Sequence, residues 1–155
     1  MKGSDEVLAI LAELLANELT AINQYLLHGH TCRNWGFLRI GDKLVEEAGG
    51  EREHADRLIE RILFLEGTPD LQRYHPIVPG GTVKEIFEHD LAMEYGAIGA
   101  LNAAIEKCRA QRDNATEDLL TQILVAEQDD THWLEEQLEL MKQIGEQNYL
   151  AQQLH

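Results

Sequence analysis

The sequence predicts an all-α protein, a bundle of four helices with one long crossover connection and a short fifth helix at the C-terminal end. Three observations support this prediction. All three prolines, Pro69, Pro76 and Pro79, lie between positions 69 and 79, so the flanking halves are free of helix breakers of this kind. Apolar residues in both halves recur at spacings of three and four, the period of an α-helix. A length of 155 residues suits one domain that covers the whole chain.

The half before the prolines contains two helical patterns. Apolar residues follow one helix face from Leu8 onwards and a second face from Leu44 onwards. Gly36 and the pair Gly41-Asp42 lie between the two patterns and are expected to interrupt the helix. We therefore predict helices over about residues 5–35 and 42–66.

The half after the prolines repeats this arrangement. Apolar rows start at Val83 and Leu120, and the polar segment 111–114 separates them. Asn114 or Thr116 can cap the later helix, and Gly145 is expected to end it. We predict helices over about residues 83–110, 116–144 and 147–154.

The connection between the second and third helices, about residues 67–82, is long, whereas the other connections in the bundle are short. Short connections make neighbouring helices antiparallel. A long connection can run the length of a bundle and leave the two helices that it joins parallel. The sequence therefore predicts a bundle with a single crossover.

Composition excludes several classes of function. The formal net charge is −15, from 28 acidic and 13 basic residues, and nucleic-acid binding requires a basic face. No apolar run approaches the roughly 20 residues of a membrane helix, and the first residues lack the apolar stretch of a signal peptide. We expect a cytoplasmic protein without membrane contact, in which Cys32 and Cys108 are reduced thiols.

Each of the four apolar rows contains a glutamate near its middle: Glu18, Glu51, Glu94 and Glu127. An isolated buried carboxylate loses several kcal/mol or more of hydration. A single glutamate in an apolar row usually lies at the edge of the buried face. Four glutamates at equivalent places on four helices are not explained in that way. Since the rows contain no lysine or arginine, a shared multivalent cation is the expected partner.

The glutamates of the second and fourth helices have a companion three residues further on. Glu51 is followed by His54, and this spacing places both on one helix face. Glu127 is followed at the same spacing by Asp130. In bundles that bind two iron ions, two helices each provide a glutamate and two provide Glu-x-x-His. The chain follows this pattern except at Asp130.

These residues lie in a sequence that resembles the bacterioferritins over nearly the whole chain. The resemblance is carried by long matching runs: Met1-Lys2-Gly3, Ala21-Ile22-Asn23-Gln24-Tyr25, Asn34-Trp35-Gly36, HADRLIERILFLEG from His54 to Gly67, Trp133-Leu134-Glu135 and Gln147-Asn148-Tyr149-Leu150. It implies a ferritin-like fold and a hollow twenty-four-subunit shell, which oxidises Fe²⁺ with O₂ or H₂O₂ and stores a ferric mineral. Two iron ions per subunit are implied, with ligands at Glu18, Glu51, His54, Glu94, Glu127 and position 130.

Three aromatic residues resemble those near the family's iron site that can supply further electrons: Tyr25, Trp35 and Trp133. Ordinary core packing is an equally good interpretation of each.

The chain departs from the family pattern at the haem site. Bacterioferritins bind haem between paired subunits through a methionine beside the first Glu-x-x-His glutamate, and that position is Arg52 here. A guanidinium group cannot act as a soft axial ligand to haem iron. We therefore expect either a haem-free homo-oligomer or a mixed shell with a second, haem-bearing bacterioferritin subunit.

The second departure is Asp130, where the family has histidine. His132 lies nearby, but two residues along a helix correspond to about 200° of rotation, which points it away from the row of Glu127. We expect Asp130 to be the ligand and His132 to lie on the outer face, near an access pore between subunits. The alternative is that one iron lacks its sixth protein ligand. Two Fe²⁺ bring a charge of +4 against five carboxylates, and this balance favours a firmer hold on ferric iron or unequal affinity at the two positions.

Other functions fit the sequence less well. A slow or non-catalytic shell subunit would oxidise Fe²⁺ poorly by itself. A rubrerythrin-type enzyme would carry CxxC pairs, which are absent here. A DNA-protecting mini-ferritin would place its ligands between subunits, and the negative charge disfavours DNA contact. The prediction is therefore a ferroxidase.

Overall fold

The computed structural model describes residues 1–155 and contains five helices and no strand. The helices are α1 (Asp5–Asn34), α2 (Leu38–Phe64), α3 (Val83–Ala110), α4 (Asn114–Ile144) and α5 (Glu146–Ala151). α1 packs along α2 and α3 packs along α4, while contacts from α1 to α3 and from α2 to α4 close the bundle. The predicted four-helix bundle with a short C-terminal helix is confirmed. None of the helices is both long and apolar enough to cross a membrane.

The turn between α1 and α2 is tighter than the sequence predicted. Gly36 has a φ of +93°, a conformation that suits glycine, and α2 already begins at Leu38. The expectation that Gly41-Asp42 interrupts the helix is wrong, since both residues lie inside α2. A Cβ atom on Gly41 would lie 2.8 Å from the carbonyl oxygen of Gly29. Gly41 therefore serves the close approach of α1 and α2 and does not mark a helix end.

The start of α4 is held by Asp113, one residue before the predicted caps. The Asp113 carboxylate accepts hydrogen bonds from the backbone N–H and the hydroxyl of Thr116, at 3.0 and 2.7 Å. Arg61 near the end of α2 donates to Thr116 Oγ1 and Asp113 Oδ1, at 2.9 and 3.2 Å. This cap therefore also ties α2 to α4.

The crossover, residues 65–82, runs the length of the bundle. At its start, the carbonyl oxygen of Leu65 accepts a hydrogen bond from the N–H of Gly3, at 3.0 Å. At its far end, Val83 is buried in one apolar cluster with Cys32 and Ile40, where α1 ends and α2 begins. Because α3 thus starts at the end of the bundle where α2 starts, α2 and α3 are parallel, as predicted.

The buried apolar residues form two separate clusters, one toward each end of the bundle. The first contains Leu11 of α1 and Leu58 of α2, together with Cys108 of α3. The second contains Tyr25 of α1 and Leu134 of α4. Both cysteines are buried and unpaired. Between the clusters each of the helices α1 to α4 carries buried polar residues, and this layer contains the candidate site.

Candidate metal centre

The polar layer brings together the six residues that the sequence predicts as ligands. Five of them are buried: Glu18 on α1, Glu51 and His54 on α2, Glu94 on α3 and Glu127 on α4. The sixth, Asp130 on α4, is partly buried. Each helix positions its residue at the same height because the apolar rows above and below it are buried in the two clusters.

The ligand atoms fall into two overlapping sets. The first set is Glu18, Glu51, His54 and Glu127, and the second is Glu51, Glu94, Glu127 and Asp130. Within each set one ligand atom of every residue lies within 4.8 Å of the others. Glu51 and Glu127 belong to both sets, so two cations could lie side by side and share these two carboxylates.

His54 turns its Nδ1 atom toward the first set. That atom lies 3.0 Å from Glu127 Oε1, 3.7 Å from Glu51 Oε2 and 3.8 Å from Glu18 Oε2. Burial alone would lower the pKa of the imidazole, but the neighbouring carboxylates of Glu127, Glu18 and Glu51 raise it to about 12. Without a metal ion, His54 is therefore the proton-bearing partner of these carboxylates.

Burial is the main reason why the carboxyl groups of the cluster hold their protons. It raises the pKa of Glu51 and of Glu94 well above the ordinary value. It also raises the pKa of Glu18 and of Glu127, although the nearby His54 acts in the opposite direction on both. The unbound cluster is therefore protonated more readily than exposed carboxylates.

Several oxygen atoms of the cluster lack any partner. Glu18 Oε2, Glu51 Oε1 and Glu94 Oε2 are out of contact with solvent and accept no hydrogen bond. No lysine or arginine forms an ion pair with any of the six residues. Buried oxygens of this kind are costly unless something binds them. The donor set therefore fits divalent cations that accept carboxylate and imidazole ligands.

Asp130 faces the cluster and His132 does not. His132 has an exposed side chain and pairs with Glu136 one turn along α4, at 3.2 Å. The pKa of Asp130 rises to about 9, first through burial and then through the neighbouring carboxyl group of Glu47. The second ligand set therefore contains oxygen atoms alone, and it has another carboxyl group beside it.

Glu47 is a residue of the site that the sequence reasoning missed. It is buried and lies one turn before Glu51 on α2. Its carboxylate forms an ion pair with Lys43 at 2.8 Å. Its spacing of four residues from Glu51 is a signal that could have identified it.

The three predicted aromatic residues lie in different surroundings. Tyr25 donates a hydrogen bond from its hydroxyl to Glu94 Oε1, at 2.6 Å. Trp133 packs edge-on against Phe87 at 5.7 Å between ring centroids, within the second apolar cluster. Trp35 caps the end of α1 and is half-exposed, about 25 Å along the helix from the height of Glu18. Of the three, only Tyr25 forms a hydrogen bond with a predicted ligand.

A buried network next to the cluster was also not predicted. His28 and Asp90 are both fully buried, with Nδ1 and Oδ1 2.7 Å apart. His28 Nε2 lies 2.8 Å from the carbonyl oxygen of Val78 in the crossover. Gln24 donates to this oxygen at 2.7 Å and accepts from the Val78 N–H at 2.9 Å. Asp90 lies in the apolar row of Glu94, but nothing in the sequence indicates the long-range contact to Val78.

Arg52 lies outside the cluster. Its side chain is 70% exposed, and its Nε donates to Asp56 Oδ1 at 3.0 Å, one turn along α2. A guanidinium in this position offers no lone pair to haem iron.

Comparisons with known proteins agree with this geometry. A family model described as a ferritin-like domain matches residues 8–144. A bacterial ferritin of Synechocystis sp. is 44% identical over 99% of both chains. A bacterioferritin of Mycobacterium leprae is 42% identical over 98% of this chain and 96% of that protein. A bacterial ferritin of Pseudomonas aeruginosa is 41% identical over 99% of this chain and 100% of that protein.

Proposed function

The chain belongs to the ferritin-like family and is of the bacterioferritin type, and we propose that it is an iron-storage ferroxidase. It oxidises Fe²⁺ to Fe³⁺ at a dinuclear site within each subunit and stores the product as a ferric mineral. One observation carries this proposal: the two buried ligand sets that share Glu51 and Glu127.

The shared carboxylates would bridge two iron ions. Glu18 and His54 would complete the first position, and Glu94 and Asp130 would complete the second. The buried oxygens that lack partners support this assignment. Two divalent ions would bind these oxygens and would also offset the repulsion among the carboxylates. The side chains would hold the two ions in place and balance their positive charge.

Iron would displace protons as it binds. The raised pKa values of Glu51 and Glu94 mean that part of the cluster is protonated before Fe²⁺ arrives, and metal ligands must be deprotonated. Two Fe²⁺ then give up two electrons. These electrons, together with two protons, reduce O₂ to H₂O₂ or reduce H₂O₂ to water. The protein contributes the geometry and the negative charge of the site.

Asp130 would make the two iron positions unequal. The first position includes an imidazole nitrogen, whereas the second is surrounded by carboxylates only. Hard oxygen ligands suit ferric iron better than ferrous iron, and Glu47, which is paired with Lys43, lies beside Asp130 on the same side. We therefore infer that the second position holds its iron more firmly after oxidation.

Tyr25 and Trp133 are proposed electron donors to the oxidant. Tyr25 is the better placed, because its hydroxyl contacts Glu94 at 2.6 Å. Trp133 lies in the adjoining apolar cluster, with Lys43 5.4 Å above its ring. Trp35 lies at the far end of α1, and this position does not support a role as a direct electron donor.

We propose that the subunits assemble into a shell of twenty-four copies. Large apolar side chains remain exposed on the isolated chain, among them Leu26, Leu63, Phe64, Leu71 and Ile77. Such residues indicate surfaces that another subunit covers. Size-exclusion chromatography with light scattering would identify a shell of 17.6-kDa subunits.

The second candidate is a shell subunit with slow iron chemistry that assembles with a haem-bearing partner. The observation that favours it is Arg52, whose guanidinium is engaged by Asp56 where the resemblance places the haem methionine. The visible absorption of the purified homo-oligomer would separate the two candidates, together with its rate of Fe²⁺ oxidation.

Anomalous scattering at the iron edge provides the main experiment. Crystals soaked anaerobically in Fe²⁺ should contain two iron peaks in each subunit, with Glu51 and Glu127 in contact with both. In solution, oxidation should show a fast phase that saturates at two Fe²⁺ per subunit. A single peak, or oxidation no faster than in buffer, would reject the proposal.

A further inference from the structure

A cavity of about 410 Å³ opens directly onto the carboxylate cluster. Its floor contains four of the proposed ligands: Glu18, Glu51, Glu94 and Glu127. Its walls come from α1, α3 and the crossover. His75 and His89 are among the wall residues, and both are accessible to solvent in part. The cavity is therefore a passage that joins the cluster to the surface and carries two imidazoles along its sides.

His75 is held at a defined place in the crossover wall. Its backbone N–H donates to Thr20 Oγ1 of α1 at 2.9 Å, and three residues later Val78 is fastened to Gln24 by two hydrogen bonds. The ring atom Nε2 of His75 is shielded from solvent and makes no hydrogen bond. It lies 3.3 Å from Glu13 Oε1, the one carboxylate in ion-pair contact with it.

His89 lies on the α3 wall of the same passage. Its ring stacks near the ring of His28, with 6.5 Å between centroids and an angle of 24°. His28 is fully buried and held by Asp90 and Val78, so it gives His89 a rigid base. Glu94, at the floor, is five residues further along the same helix.

Imidazole is a selective ligand in such a place. It binds divalent transition metals such as Fe²⁺ and Zn²⁺, whereas Mg²⁺ and Ca²⁺ prefer oxygen ligands and gain little from it. The carboxylate cluster alone discriminates less, because its second ligand set contains oxygen atoms only. Imidazole ligands in the passage would therefore add selection before the ions reach the cluster.

We propose that His75 and His89 form an acquisition site for divalent transition-metal ions in this passage, which takes the ion from solvent ahead of Glu18 and Glu94. The site binds the ion briefly and passes it inward, where more ligands and more negative charge hold it. Its biological use rests on the proposed ferroxidase function, but its metal binding can be tested separately.

Zinc is the probe for the binding itself, because it accepts imidazole and has no redox chemistry. Crystals of the wild-type protein soaked in Zn²⁺ should show an anomalous peak bonded to His75 or His89, at about 2.0–2.1 Å from a ring nitrogen, besides peaks at the cluster. The double variant His75→Gln/His89→Gln should lose the passage peak and keep the cluster peaks. Zinc at the cluster with none in the passage would overturn the inference.

Kinetics at limiting Fe²⁺ test the selective role. In excess Mg²⁺, initial oxidation by the double variant should be several-fold slower than by the wild type, and the difference should disappear at saturating Fe²⁺. His30→Gln is the matched control, since His30 is exposed on α1 outside the passage. Equal rates for the double variant and the wild type would contradict the inference.

If the double variant does not fold, the wild-type zinc soak decides. Zinc in the passage without any iron oxidation would reject the ferroxidase and leave the acquisition site standing.

Discussion

The hydroxyl of Tyr25 donates a hydrogen bond to Oε1 of Glu94 across 2.6 Å, and both residues are buried. Burial, followed by the charge of Glu94, raises the pKa of the phenol well above its ordinary value, so the hydroxyl remains a donor. The other oxygen of Glu94 has no partner. Tyr25 thus fixes one oxygen of this carboxylate and leaves the second for a metal ion.

Replacement of Tyr25 by phenylalanine should weaken metal binding by roughly tenfold, because loss of a hydrogen bond that orients a ligand typically costs 10–100-fold. Calorimetric titration with Co²⁺ would measure the change. The radical signal that forms during Fe²⁺ oxidation should also decrease in electron paramagnetic resonance spectra. Tyr95→Phe is the control, since Tyr95 lies exposed on the same helix as Glu94. Unchanged affinity in Tyr25→Phe would show that Glu94 is oriented without the phenol.

The overlap of the two ligand sets predicts different losses at different glutamates. Glu18 belongs to one set and Glu51 to both, so Glu18→Gln should retain about one metal ion per subunit, whereas Glu51→Gln should retain almost none. Metal analysis after loading with Zn²⁺ measures this directly. Glu53→Gln, an exposed position on the same helix as Glu51, should bind as the wild type does. Equal losses in Glu18→Gln and Glu51→Gln would contradict the bridging role.

Replacement of Asp130 by histidine should make the two positions more alike. The variant restores an imidazole and removes one negative charge from the second set, so oxidised iron should leave the site faster and turnover should continue beyond the first two Fe²⁺. Stopped-flow absorbance would follow both phases. Identical stoichiometry and rates in the wild type and Asp130→His would exclude a special role of Asp130.

The metal-free protein should become less stable as the pH rises. The cluster carboxyls have raised pKa values in the folded state, so their contribution to stability is complete below the ordinary pKa and is lost as pH rises through the folded value. For Asp130 the window extends from 3.8 to about 9. The melting temperature of the metal-free protein should fall over this range, and bound Zn²⁺ should remove most of the fall. A metal-free melting temperature that rises with pH in this window would contradict the assignment.

The contact between Gln24 and the crossover predicts a stability effect at residues that are not proposed metal ligands. Gln24→Ala removes two hydrogen bonds to Val78 and should destabilise the fold by about 1–3 kcal/mol. In a domain of this size each kcal/mol lowers the melting temperature by about 2–4 °C. Hydrogen exchange at the Val78 amide should accelerate, and Asn23→Ala, an exposed neighbour on α1, should leave both measurements unchanged.

The fold and the grouping of the six candidate ligands could be predicted because both follow from local periodicity. Glu51 and His54 lie on one helix face through their spacing alone, and the apolar rows determine how that face turns inward. The position of Gly41 was misjudged because a glycine inside a helix and a glycine at its end look the same in sequence, and only the approach of Gly29 distinguishes them.

Features that depend on distant parts of the chain could not be predicted. The burial of His28 depends on Asp90 and Val78, which lie 62 and 50 residues away in the chain, and only its contact with Gln24 is local. The passage with His75 and His89 is of the same kind, because the crossover has no periodicity that shows which side chains face the cluster. Glu47 could have been found from its spacing to Glu51, but its proximity to Asp130 requires the packing of α2 on α4.

The division of the ligands between the two helix pairs has a mechanical consequence. The pair α1–α2 contributes Glu18, Glu51 and His54, whereas α3–α4 contributes the other three, so neither half of the chain holds a complete site. Metal ions at these positions would act as cross-links between the halves and oppose any motion that separates them at mid-height. The rate of hydrogen exchange in the central turns of the bundle would then measure the fraction of subunits whose site contains metal ions.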